Sequence, residues 1–256
     1  MRSFLSFFCG FLLFSGMLQA QNPELFDKLL YTGKKDTLPY RLLKPVNPDA
    51  MELFPLVIFL HGSGERGSDN EAQIKHISDL ALDPKYRGKY PCYVVAPQCP
   101  KNQLWAEHNK DGTTRAQPTA PMQLVIELID KLCQDFPIDK SRIYITGVSM
   151  GGYGTWDLIG RYPTKFAAAI PVCGGGDEKT APKIKHIPVW VFHGAKDDVV
   201  SPRQSRTMIK AIQEEGGTPG YTEYPDIGHD SWVQAYREPH LLPWLFKQKT
   251  GPEKEN

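Results

Sequence analysis

Three residues of this chain carry chemistry that would work together: Ser149, an acid at Asp197-Asp198, and His229. A serine hydroxyl is a weak nucleophile at neutral pH and needs an adjacent base. A histidine can take its proton and later hand it to a leaving group. A carboxylate on the other imidazole nitrogen fixes the tautomer and stabilises the imidazolium. The product of such a trio is acyl transfer. Ser149 stands in Gly147-Val148-Ser149-Met150-Gly151, the spacing of a sharp strand-to-helix turn that lifts a nucleophile into a cleft. Glycines two positions to either side leave that turn room. The spacing alone is weak, because Gly-Ser-Gly clusters are ordinary turn material. An acid and a histidine following in this order give it weight.

Each of these residues needs an element to position it. Ile143-Tyr144-Ile145-Thr146 reads as a strand running into Ser149, and Gly152 to Tyr162 as the helix that follows. Pro55 to Leu60 is a continuous apolar run, the pattern of a strand buried on both faces. It leads into His61-Gly62-Ser63. Tyr93 to Ala96, Phe166 to Val172, Pro188 to Phe192 and Gly220 to Tyr224 read as further strands, with Thr37 to Leu43 before them. Met122 to Phe136 is helical, with Leu124, Leu128 and Leu132 on one stripe. Helices are also expected over Asn70 to Leu82, from Ser201-Pro202 to Glu215, and from Ser231 to about Lys247. Glu24 to Tyr31 reads as a short amphipathic lead-in. Strands alternating with helices predict one α/β domain, a mostly parallel central sheet with helices on both faces. Chemistry then collects outside the carboxyl ends of the strands. That is where Ser63, Ser149, Asp197-Asp198 and His229 all fall.

Charge and composition exclude other classes. The 256 residues hold 30 Lys and Arg against 29 Asp and Glu, with no basic run, which disfavours nucleic acid or an anionic membrane as partner. Met1-Arg2, the apolar stretch Phe4 to Leu18 and Gln19-Ala20-Gln21 describe a secretory signal peptide cleaved after Ala20, and the run is short for a membrane span. The expectation is therefore a secreted or periplasmic protein whose single domain is 21–256. Cys92, Cys99, Cys133 and Cys173 could form two disulfides in any of three pairings. None makes a Cys-x-x-Cys pair, so no structural zinc site is expected. The proposed chemistry requires no metal and no cofactor. Oligomeric state is open.

The cleft has further candidate parts. Met150, directly after the nucleophile, offers a backbone N–H to an oxyanion, and such a donor is worth about 2.7–4 kcal/mol. Trp105, in the long loop Pro97 to Pro121, and Trp232 are candidates for an aromatic substrate wall. Of the later histidines, His186 precedes a strand, His193 sits in the acid turn and His240 lies in the last helical stretch. Only His229 occupies the loop after the final strand. Asp177, Asp226 and Asp230 read as loop or capping residues.

Leu60 to Gly67, Gly147 to Gly152, Val172 to Gly175 and Phe192-His193-Gly194-Ala195-Lys196-Asp197 together resemble secreted bacterial α/β-hydrolase esterases. That group is often labelled predicted peptidase or phospholipase/carboxylesterase, and is similar to feruloyl and acetylxylan esterases of carbohydrate esterase family 1. The resemblance spans roughly 37–247. It implies that Asp197, aligned with the first Asp of His-Gly-x-x-Asp-x-Val-Val-Pro, is the catalytic acid rather than Asp198; Ser201 departs from that pattern's proline. It implies that Ser63 supplies the second oxyanion N–H and that His61 is a structural hydrogen-bonding residue. The implied function is a serine esterase acting on small esters or on esterified polysaccharide. Two readings compete: a peptidase of the prolyl-oligopeptidase type, which shares the triad, and a catalytically silent carbohydrate-binding homologue. The chain has no propeller or other gating domain, which counts against the peptidase, and all three triad residues are present, which counts against the silent homologue.

Overall fold

A computed structural model describes residues 22–46 and 52–251. The expected signal peptide lies outside the described residues. Eight strands form one sheet: β1 (Phe26–Thr32), β2 (Thr37–Leu43), β3 (Phe54–Leu60), β4 (Tyr93–Pro97), β5 (Ile138–Val148), β6 (Ala168–Val172), β7 (Trp190–Gly194) and β8 (Gly220–Tyr224). Their spatial order is β1-β2-β4-β3-β5-β6-β7-β8. β1 and β2 pair antiparallel with each other, and β2 pairs antiparallel with β4; the other pairings are parallel.

Every residue of β3 is buried, and its side chains alternate between two cores. Leu56, Ile58 and Leu60 join one core, with Ile143 and Ile145 of β5; Val57 and Phe59 join the other, with Tyr144 and Val148. The first core is closed by α3 (Ala120–Asp135), α4 (Met150–Arg161), α5 (Ala181–Ile184) and α6 (Arg203–Glu214). The second is closed by α1 (Ser78–Ala81), α7 (Trp232–Ala235) and α8 (Leu241–Leu245), with α2 (Pro84–Lys89) nearby in the chain. This is the α/β-hydrolase fold, a mostly parallel sheet covered on both faces.

The order of strands locates the site. The chain passes from β3 to β4 on one side and to β5 on the other, so a crevice opens outside the carboxyl ends of β3 and β5. Leu60 and Gly147 are Cα partners in that pairing. Ser63 and Met150, each three residues further on, therefore leave the sheet side by side.

One sequence expectation is refined and two are corrected. The amphipathic lead-in resolves into a 3-10 turn, Pro23–Leu25, followed by strand β1, whose residues alternate inward and outward. Pairing with β2 over seven residues holds that strand in the sheet. Asn70 to Leu82 is not one helix but a 3-10 turn, Ala72–Ile74, and the single-turn α1. Asp69 Oδ1 accepts from Glu71 N and Ala72 N at 2.6 and 2.9 Å, and Asn70 sits at φ 56°. Such side-chain-to-backbone bonds compete with helix. The final helix is two short pieces, α7 and α8, because Pro239 disfavours helical backbone at Glu238.

Candidate active site

β5 ends at Val148 and α4 begins at Met150, leaving Ser149 alone at the turn with φ 53° and ψ −115°. An L-residue rarely holds a positive φ unless its surroundings over-determine it. Here they do. A Cβ on Gly151 would stand 1.8 Å from Leu60 O, and one on Gly147 would stand 2.3 Å from Gly151 O. The two glycines let the start of α4 press against the end of β3, and Ser149 N–H donates to Val172 O at 3.0 Å on the other side.

Ser149 Oγ lies 2.9 Å from His229 Nε2, and His229 Nδ1 lies 2.8 Å from Asp197 Oδ2. Asp197 Oδ1 accepts from Val199 N at 3.0 Å and Val200 N at 2.9 Å. Burial alone would raise the Asp197 carboxyl, but His229 and the two backbone N–H groups outweigh it and hold the carboxyl below its ordinary range. The acid is thus a fixed anion, and a carboxylate oxygen at Nδ1 requires that nitrogen to carry the proton. Nε2 is left free to accept from the serine hydroxyl. Asp198, the alternative acid, is exposed to solvent. Asp226 pairs with Lys196 at 2.7 Å, Asp230 is exposed, and Asp177 caps a 3-10 turn and accepts from Thr114 N at 2.8 Å.

The two expected oxyanion donors each stand at a helix start. Met150 opens α4, and Ser63 opens the 3-10 turn Ser63–Glu65. The first N–H groups of a helix have no intrahelical acceptor. His61 secures the loop that carries Ser63. Its Nε2 accepts from Cys99 N at 2.9 Å and its Nδ1–H donates to Gly62 O. Burial pushes its pKa down from 6.5 to about 4. An unfolded chain takes up this proton at about pH 6.5, so His61 contributes stability that is complete above that pH and is lost as pH falls from there to about 4. The loss amounts to about 3 kcal/mol. Urea unfolding at pH 7 and pH 4.5 should show His61→Gln losing less stability between the two pH values than the wild type does; equal losses would refute the assignment.

Trp105 is corrected from substrate wall to pillar. Its indole is 0% exposed, and Nε1 donates to His61 O at 3.1 Å, beneath the Ser63 loop. A stacking platform needs a bare face, and this one is covered. Trp232 stands beside the array, its ring 5.4 Å from that of His229 and 5.0 Å from that of His76. The four cysteines among the described residues are free thiols rather than disulfides.

The array, its elbow and its eight-stranded support have known counterparts. Residues 45–238 match the phospholipase/carboxylesterase family. The chain belongs to that family. Relatives include a bifunctional acetylxylan esterase/xylanase of Neocallimastix patriciarum, 31% identical over 45% of this chain and 18% of that one. A feruloyl esterase B of Thermothelomyces thermophilus is 26% identical over 77% of this chain and 85% of its own. Among solved structures, a thermostable esterase superposes with a TM-score of 0.83 at 40% identity, covering 89% of this chain and 64% of that one. The chain spans less than a third of the first curated relatives it matches, 18%, 28% and 26% of their lengths.

Within this phospholipase/carboxylesterase chain, two further residues adjoin the array. Cys173 has φ 41°, and its thiol, Asp197 and His229 have ligand atoms all within 4.8 Å of one another. A cation there would have to break the Asp197–His229 bond, and burial pushes the thiol up to about 12, so the group reads as hydrogen-bonding machinery. In sequence it is the first residue past β6. The other neighbour is His193, fully buried against Asp197.

Proposed function

We propose that this chain is a serine carboxylic-ester hydrolase working through an acyl-enzyme, with Ser149, His229 and Asp197 as its triad. The observation that carries the reading is the 2.9 Å contact between Ser149 Oγ and His229 Nε2, made by a histidine whose other nitrogen is held by an anionic Asp197. Ser149 Oγ attacks the ester carbonyl while its proton passes to Nε2. The N–H groups of Met150 and Ser63 receive the oxyanion. Nε2–H then protonates the departing alcohol, leaving an acyl-Ser149 ester. Water, deprotonated by Nε2, attacks that ester and releases the carboxylic acid and the free serine.

Names of relatives, acetylxylan esterase and feruloyl esterase among them, support ester decorations of polysaccharide, alongside small carboxylic esters, as the substrate class. The Trp232 ring, 5.4 Å from that of His229, supports an aromatic contact to a sugar or phenolic group beside the triad. Export to the periplasm or medium fits such a substrate, and one relative is described as a secreted protein. No helix among the described residues is long and apolar enough to cross a membrane. The deciding experiment is a substrate panel: acetylated xylan, feruloylated arabinoxylan, p-nitrophenyl acetate and N-acyl peptides. Release of acetate or ferulate, with peptides left intact, is the expected outcome. Peptide cleavage would move the assignment to the peptidases, and inertness on every ester with retained binding to xylan would make the chain a binding protein.

A further inference from the structure

His193 is the penultimate residue of β7, one before Gly194 and four ahead of Asp197, with no solvent exposure. Its Nε2 lies 2.9 Å from Val200 O and 3.2 Å from Asp197 Oδ2. A carbonyl only accepts, so Nε2 carries a proton, shared between the carbonyl and the carboxylate. Its Nδ1 lies 2.7 Å from Ser205 Oγ on α6. With Nδ1 unprotonated, the Ser205 hydroxyl donates to it and leaves Gly174 O, at 3.2 Å from Oγ, as the longer contact. Burial disfavours a second proton on this ring, outweighing the pull of Val200 O and Asp197, and His229 adds to it.

Asp197 Oδ2 is therefore the meeting point of two imidazole N–H groups, His229 at 2.8 Å and His193 at 3.2 Å, while Oδ1 is held by Val199 and Val200. Four donors fix one carboxylate, and only one belongs to the triad. We propose that His193 is a positioning residue: its Nε2–H, oriented by Ser205, fixes the carboxylate of Asp197 and withdraws charge from it, so setting how strongly Asp197 stabilises the protonated form of His229. The proposal rests on the triad reading given above. The other groups facing this pair are the Cys173 thiol at the end of β6, Tyr153 on α4 and Glu223, opposite His193 on β8 and held by Arg206.

The sign of the effect follows. Removing the His193 donor leaves more negative charge on the Asp197 oxygen that faces His229, so on the acid side labelling should fail at a higher pH. The test is the rate at which a fluorophosphonate labels Ser149, followed from pH 4 to 9, beside kcat and KM on p-nitrophenyl acetate. His193→Phe should lower the labelling rate and kcat by about 10-fold with KM unchanged. It should also move the acid limb up by about half a pH unit. His193→Gln, which can return an N–H to the Nε2 position, should restore most of both. A merely structural histidine would lower the fraction of active protein without moving the limb, and a limb unmoved in His193→Phe overturns the proposal. If the phenylalanine variant does not fold, Ser205→Ala carries the test, because it frees the ring without removing it: a smaller shift in the same direction supports the proposal, and none overturns it. Wild-type protein that is not labelled at Ser149 would instead overturn the triad reading, a result distinct from either.

Discussion

Ser149→Ala is expected to lower kcat for p-nitrophenyl acetate on the order of 10⁴- to 10⁶-fold while the protein stays folded. The backbone argument makes folding the safe half. Alanine differs from serine by one oxygen, and that oxygen bonds His229 rather than any part of the scaffold. The elbow is held by Ser149 N–H on Val172 O and by the fit of Gly147 and Gly151 against Leu60 and each other, which the substitution leaves intact. Thermal melts of the two proteins should therefore superpose within a few degrees. The chemical half is exclusive to Oγ. The other nucleophile in the cluster is the Cys173 thiol, and burial pushes it up to about 12, so it stays protonated and unreactive at neutral pH. Cys173→Ala should consequently keep most activity. Full hydrolysis by Ser149→Ala would remove the serine from the mechanism altogether.

What the sequence disclosed and what it hid divide along physical lines. The buried strands were legible because parallel strands covered on both faces are continuous apolar runs, and Phe54 to Leu60 is one. The helix around Leu124, Leu128 and Leu132 was legible because one buried stripe runs its whole length. The segments that misled are those where apolar periodicity is weak and local contacts decide, such as Asp69, whose carboxylate accepts from Glu71 N and Ala72 N, and Asn70, whose own N–H donates to Gln98 Oε1 at a left-handed φ of 56°. Ser149, Asp197 and His229 could be placed at strand ends because each follows a recognisable strand. Trp105 could not be told from a surface aromatic, since its burial depends on how a long loop folds under His61. His193 was passed over because its weight lies in a tertiary contact to Asp197 that no spacing rule announces.

Asp197→Asn is expected to lower kcat about 10⁴-fold, and Asp198→Asn to leave it within about twofold. The two residues are adjacent in sequence and opposite in environment: Asp197 is buried under His229, while Asp198 faces solvent. An asparagine at 197 keeps Oδ1 as acceptor for Val199 and Val200, so the turn after β7 survives. The change falls on the other atom. Where Oδ2 now accepts from His229 Nδ1–H at 2.8 Å, an amide nitrogen would donate to an unprotonated Nδ1. The imidazole proton then moves to Nε2, which faces Ser149 Oγ as a donor and cannot take its proton. Activity is lost through the wrong tautomer, with the fold in place. Measured kcat and KM, paired with a thermal melt, separate this from simple destabilisation: kcat should collapse with KM nearly unchanged. A large loss at Asp198 with little at Asp197 would transfer the acid to the neighbouring residue and require the His229 loop to sit one residue away from where the 2.8 Å contact places it.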